Sequence, residues 1–178
     1  MRRDDLLDLN DVLQHPGRKI AVELSTELPD EADLDLLAPL EGEMEAVSTG
    51  NLLLVTGTFR TRVVLECSRC TTPLEVDVEF EMDEQFPVEG VPSSFSSQDM
   101  AKVVNDEPYP LFEGNFLLVE DLLRQNLLLA LPLTIDCLTV TGNPCPAELT
   151  AKIEAASGQG RLEFQGLKGL LEHEEPKP

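Results

Sequence analysis

Between Leu74 and Glu84 apolar and acidic residues alternate without a break, with Leu74, Val76, Val78, Phe80 and Met82 set against Glu75, Asp77, Glu79, Glu81 and Asp83. A period of two belongs to a strand with one buried face. The segment therefore predicts a strand whose five carboxylates project from the other face, spaced about 7 Å apart at two residues per repeat. Ahead of it, Asn51 to Thr58 and Arg60 to Glu66 are rich in Leu, Val and Thr and predict two further strands, with a turn at Thr49-Gly50. A meander is the simplest topology for this region. Nearer the amino terminus the apolar residues Leu6, Leu7, Leu9, Val12 and Leu13 make an amphipathic opening, and Lys19 to Leu24 predicts a short strand behind Pro16-Gly17.

The period then changes. Pro87 to Ser97 and Pro108-Tyr109-Pro110 predict extended loop. From Leu118 to Ala130, Val119, Leu122, Leu123, Leu127 and Ala130 recur at three- and four-residue spacing, which is the stripe of an amphipathic helix. Pro132 stops it. Because Leu127 to Leu131 is apolar all round, the last turns are expected to be buried against the sheet. Beyond Cys145, Ala147 to Ala156 has helical character and Ser157 to Gly160 reads as flexible. The expected fold class is α+β, an antiparallel β meander or partly open barrel with a buried helix packed on it. Three segments are expected: an acidic amino-terminal segment with a short strand (1–42), a core domain (43–146) and a partly helical or flexible tail (147–178).

Charge narrows the function. The 178 residues carry 34 Asp and Glu against 13 Lys and Arg, a formal net charge of -21, while the hydrophobic share of 42% suits a folded chain. Such a surface repels a polyanion, so direct RNA contact is not expected, and a cationic partner would be steered toward it. From Thr71 to Ala101 there is no Lys or Arg at all. The acidic strand face is either a solubilising surface that deters edge pairing or a docking ladder for a basic partner, formed by Glu75, Asp77, Glu79, Glu81 and Asp83. Arg60 and Arg62 share one strand face and are expected to pair with acids on a neighbouring strand; the alternative is a small basic patch touching RNA. No apolar run is long enough to span a membrane, and acids at Asp4, Asp5 and Asp8 interrupt any leader-like stretch, so a cytoplasmic protein is expected.

The four cysteines carry the candidate chemistry. Cys67 and Cys70 form a CxxC after one predicted strand and before another, at a hairpin tip. A redox CxxC needs a helix start to lower the pKa of its first thiol, whereas a zinc knuckle needs two sulfurs converging from a tight turn. Cys137 and Cys145 flank the turn-forming run Gly142-Asn143-Pro144 and could complete a four-thiolate structural zinc site. Free thiols and redox chemistry are the alternatives. Other chemistry is thin. His15 and His173 stand near the ends among polar residues, Gly158-Gln159-Gly160 lacks the rest of a phosphate loop, and there is no Trp and one Tyr, Tyr109.

Taken together, a strand leading to CSRC, an acidic alternating strand, a Pro/Ser loop and a helix ending in LLLALPL resemble the YceD family, the large ribosomal RNA subunit accumulation proteins of bacteria and plastids. The stretches that carry the resemblance are Val63 to Pro73, Phe80 to Phe86 and Leu118 to Cys137. Cys67, Arg69 and Cys70 match the family's CxRC, and Leu129 to Pro132 match its helix end. The chain departs from the pattern at the carboxyl side, where relatives have a tighter, glycine-containing cysteine pair. The resemblance implies a role in accumulation of 23S ribosomal RNA and in large-subunit assembly, with no assigned catalytic activity. Joined to the charge, it suggests a non-catalytic adaptor or chaperone for a basic ribosomal protein or assembly factor. The rival reading is an enzyme, a nuclease or thiol redox protein acting on ribosomal RNA or its precursors.

Overall fold

The computed structural model describes residues 6–28, 34–94, 99–104, 110–147 and 151. Expectations for Pro108-Tyr109, for His173 and for the tail beyond Ala147 fall outside the described residues, residue 151 excepted. The chain forms two compact units, one comprising Met1–Leu65 with Glu75–Leu133 and the other Glu66–Leu74 with Thr134–Pro178.

The first unit opens with β1 (Leu6–Asp8), α1 (Asn10–Gln14), β2 (Lys19–Thr26), β3 (Asp35–Leu36), β4 (Leu40–Ser48) and β5 (Leu52–Glu66). After the acidic strand β6 (Pro73–Glu89) come β7 (Lys102–Val103), β8 (Phe112–Glu113), β9 (Phe116–Leu118) and the helix α2 (Val119–Ala130). The larger sheet has the order β2-β4-β5-β6-β7, with β3 also paired to β5, and a smaller sheet has the order β1-β9-β8. The architecture is mostly antiparallel sheet, with the larger sheet curled as a half-barrel and few helices. Both expected descriptions apply, since β4, β5, β6 and β7 follow one another as a meander and the sheet is curled as a half-barrel.

The strands differ from expectation at one junction. Asn51–Thr58 and Arg60–Glu66 were expected to be separate, yet β5 runs unbroken from Leu52 to Glu66. Phe59 is the reason. It takes an inward position in the same alternation as Leu53, Val55, Thr61 and Val63, all of them buried, so no turn interrupts the pleat. The turn at Thr49-Gly50 is present. Thr49 N–H donates to the Leu52 carbonyl at 2.8 Å, and Gly50 takes a φ of +100° that a residue with a side chain rarely adopts.

The acidic strand keeps its expected phase over a longer span. Leu74, Val78, Phe80 and Met82 are buried and Val76 half-buried, while the five acids are exposed. Phe80 stacks on Phe59 with ring centroids 5.8 Å apart, and Phe86 meets Phe112 edge-on at 4.8 Å. α2 inserts Val119, Leu122, Leu123 and Leu127 into the same core. Its final turn departs from expectation, since Leu128 and Leu129 are 45% and 83% exposed. Leu129 shares an azimuth with buried Leu122 but stands about 10 Å farther along the axis, so the stripe outruns the surface that covers it. Among the described residues no helix is long and apolar enough to cross a membrane.

Candidate functional site

The second unit is built around the turn that joins β5 to β6. Cys67 N–H donates to the Thr72 carbonyl and Thr71 N–H to the Cys67 carbonyl, both at 2.9 Å, which folds residues 67–72 into a tight loop. Thr71 closes it at a φ of +57°, in a region that β-branched residues seldom enter. Ser68 then binds the later segment from both sides. Its N–H donates to the Ile135 carbonyl at 2.8 Å, and its hydroxyl oxygen accepts from Ile135 N–H at 3.1 Å.

That clasp delivers the short helix α3 (Cys137–Thr141) beside the loop. Asp136 caps it, accepting from the N–H and the hydroxyl of Thr139 at 2.8 and 2.7 Å. These two bonds hold its carboxyl below the usual range. Gly142 ends the helix with a φ of +72° and donates its N–H to the Leu138 carbonyl at 3.0 Å, turning the chain back toward Cys145.

The outcome is one cluster of four sulfurs. Cys67, Cys70, Cys137 and Cys145 place their Sγ atoms within 4.8 Å of one another; the first three are buried and Cys145 is partly so. The Cys67 and Cys145 sulfurs are 3.7 Å apart and those of Cys70 and Cys137 are 3.4 Å apart. Both separations far exceed a disulfide bond of about 2.05 Å, and none of the four is in a disulfide. Four thiolates around a tetrahedral ion at about 2.3 Å would stand about 3.8 Å from one another. Donor type, number and spacing therefore suit a single thiophilic metal ion. With all four positions supplied by the chain, such an ion would cross-link the loop to α3 and keep no open coordination position for a substrate.

Local electrostatics divide the four. Burial disfavours the Cys67 thiolate, but the N–H groups of Arg69 and Cys70, the Cys70 thiol and the Cys137 N–H outweigh burial and bring Cys67 down to about 6. The hydroxyl and N–H of Thr72 lower Cys70; the hydroxyl lies 3.1 Å from its sulfur. Cys137 is pushed up by the Cys70 thiol beside it and by burial, and Cys145 chiefly by burial. The two loop cysteines are thus the ones lowered, and Cys137 and Cys145 the ones raised. Ser68, Thr72 and Asp136 escaped the sequence reading. An Asp three residues before Thr139 and six before a glycine was the cap signal available for Asp136.

The acidic residues form a separate surface, on the outer face of the first unit's larger sheet. Glu23 stands directly opposite Glu43 in the β2–β4 register. Arg62 Nε donates to Asp77 at 2.7 Å, Arg60 pairs with Glu41 at 3.5 Å and Lys19 with Glu45 at 2.6 Å. The expected pairing of both arginines with neighbouring acids is therefore present, and one member of the acidic row, Asp77, is engaged by it. Glu23, Glu43, Glu75, Glu79, Glu81 and Asp83 have no ion-pair partner within 4 Å among the described residues. Thr56, Gly57 and Thr58 of β5 lie between Glu43 and Glu45 on one side and Glu81 and Asp83 on the other, so small neutral side chains floor a trough with acidic walls. His15 is exposed, with its ring 3.3 Å from Asp11.

No curated protein and no solved structure matches the chain. Residues 55–171 match the family described as large ribosomal RNA subunit accumulation protein YceD, a span that takes in all four cysteines and the acidic strand. With about two thirds of its length inside that match, the chain belongs to the YceD family.

Proposed function

We propose that the protein promotes accumulation of 23S ribosomal RNA and large-subunit assembly in the cytoplasm as a non-catalytic acidic adaptor, holding a basic ribosomal protein or assembly factor on its sheet. Family membership supports the ribosomal role. The adaptor reading rests on one observation, the outer sheet face on which six carboxylates lack an ion-pair partner among the described residues, in a chain of net charge -21. Coulomb attraction between such a face and a cationic surface raises the encounter rate and weakens with salt. RNA would be repelled by it. In the same reading zinc is the ion held by Cys67, Cys70, Cys137 and Cys145, with a structural role.

Affinity purification from cells tests the adaptor. Tagged wild-type protein should bring down large-subunit precursors at low salt and release them at high salt. The triple variant Glu79→Lys/Glu81→Lys/Asp83→Lys should lose them. Undiminished recovery by that variant, or tight binding of protein-free ribosomal RNA at physiological ionic strength, would defeat the proposal.

A further inference from the structure

The acidic face is bounded by an open sheet edge. Among the described residues β2 pairs only with β4. The Thr49–Leu52 hydrogen bond fixes the parity of the ladder beyond it, because facing residues in an antiparallel pair alternate between bonded and non-bonded positions. On that parity Val47, Glu45 and Glu43 turn their amides toward β5, while Ala46, Met44 and Gly42 turn theirs toward Ile20, Val22 and Leu24. The backbone N–H and C=O groups of Lys19, Ala21, Glu23 and Ser25 consequently point away from the sheet.

A cavity of about 440 Å³ opens beside this strand, lined by Leu6, Leu7, Val22, Leu24, Val119 and Glu120 among others. Its walls are mostly apolar. Glu120 Oε1 accepts from the Thr26 hydroxyl at 2.6 Å and leaves a carboxylate at the rim. Free main-chain groups and an adjacent apolar recess are what strand addition requires: the backbone supplies affinity, and pockets for alternate side chains supply specificity.

We infer that β2 accepts an extended segment of a cationic protein partner as an added strand, its alternate apolar side chains entering this cavity and its intervening Lys or Arg residues lying beside Glu23 and Glu43. The inference rests on the basic-partner reading above and names where and in what conformation the partner is held. Charge complementarity selects this occupant over a second copy of the chain. Two molecules of charge -21 repel, and pairing β2 with itself would add a second Glu23 to an edge that already faces Glu43. Residues 19–26 precede the matched span 55–171, so nothing in the family description covers this edge.

Fluorescence anisotropy with the full chain and a labelled peptide of alternating Lys and Val tests it. The alternating peptide should bind about tenfold more tightly than an isomer with its valines contiguous. Ala21→Pro and Glu23→Pro should each weaken binding about tenfold, because each removes an outward N–H that makes no bond within the sheet. A measurement on wild type guards against misfolded variants: the peptide should slow amide exchange at Ala21, Glu23 and Ser25 and leave Thr56 and Thr58 unchanged.

Equal binding by folded proline variants, protection confined to β6, or a wild-type dimer dissolved by Glu23→Pro would each overturn the inference. Loss of binding in the Glu79, Glu81 and Asp83 reversal but not in the proline variants would refute the edge and leave the acidic-face reading standing. Failure of both peptides to bind wild type would refute both.

Discussion

Phe59 shows how one side chain sets the surface around it. A Cβ built on Gly57 would lie 2.7 Å from both its ring and the Glu43 carbonyl oxygen, and one on Gly42 would lie 2.5 Å from the ring and 2.1 Å from the Thr58 carbonyl oxygen. The ring thus occupies the space that side chains at 42 and 57 would need. Phe59→Ala should cost about 3–5 kcal/mol in denaturant unfolding through the cavity it leaves. Gly42→Ala should destabilise as well, by about 1–3 kcal/mol, because backbone must move to admit the methyl. Asp77 behaves differently. The hydrogen bond from Arg62 holds its carboxyl below the usual range, so its contribution is present above the unfolded pKa and fades as pH falls through the folded one. Both partners are at least half exposed. Asp77→Asn should therefore lower the melting temperature only slightly at neutral pH, and the difference should vanish in strong acid, where wild-type Asp77 is also protonated.

At the scale of elements, legibility followed period. α2 was readable to within a residue and the phase of the acidic strand was too, because an alternation of two and a stripe of three and four each have one geometric solution. The strand runs on to Glu89, however, so Pro87 to Glu89 are strand where loop was expected. The continuity of β5 was not, since Phe59 between Thr58 and Arg60 gives no sign in the sequence of whether the pleat holds. Nor was the exposure of Leu129, because azimuth is encoded in spacing whereas the reach of the covering surface is not. The four cysteines were legible as a set, and the clasp through Ser68 that brings the loop to α3 was not, being a long-range contact between a serine and the backbone of Ile135. The same clasp makes the cluster testable. Wild-type protein should carry about one zinc per chain by native mass spectrometry, as expected for four thiolates around one ion. Removing it with a chelator should lower the thermal transition. Cys67→Ser, which breaks the same site, should lose the metal and melt early without a chelator.

For the molecule as a whole, charge dominates. With a net charge of -21 and an outward carboxylate row, the proposed adaptor should bind a cationic partner in a way that falls steeply with ionic strength, so recovery from lysate should be high at low salt and lost at high salt. The separation of the cysteines along the chain has a further outcome during synthesis. Cys137 follows Cys70 by 67 residues, so at about 5–20 residues per second a ribosome needs roughly 3–13 s to supply the third sulfur after the second. Through that interval the nascent loop holds two of the four sulfurs and no complete cage. If the cluster holds an ion, its capture must wait until the core strands and α2 have left the peptidyl transferase centre.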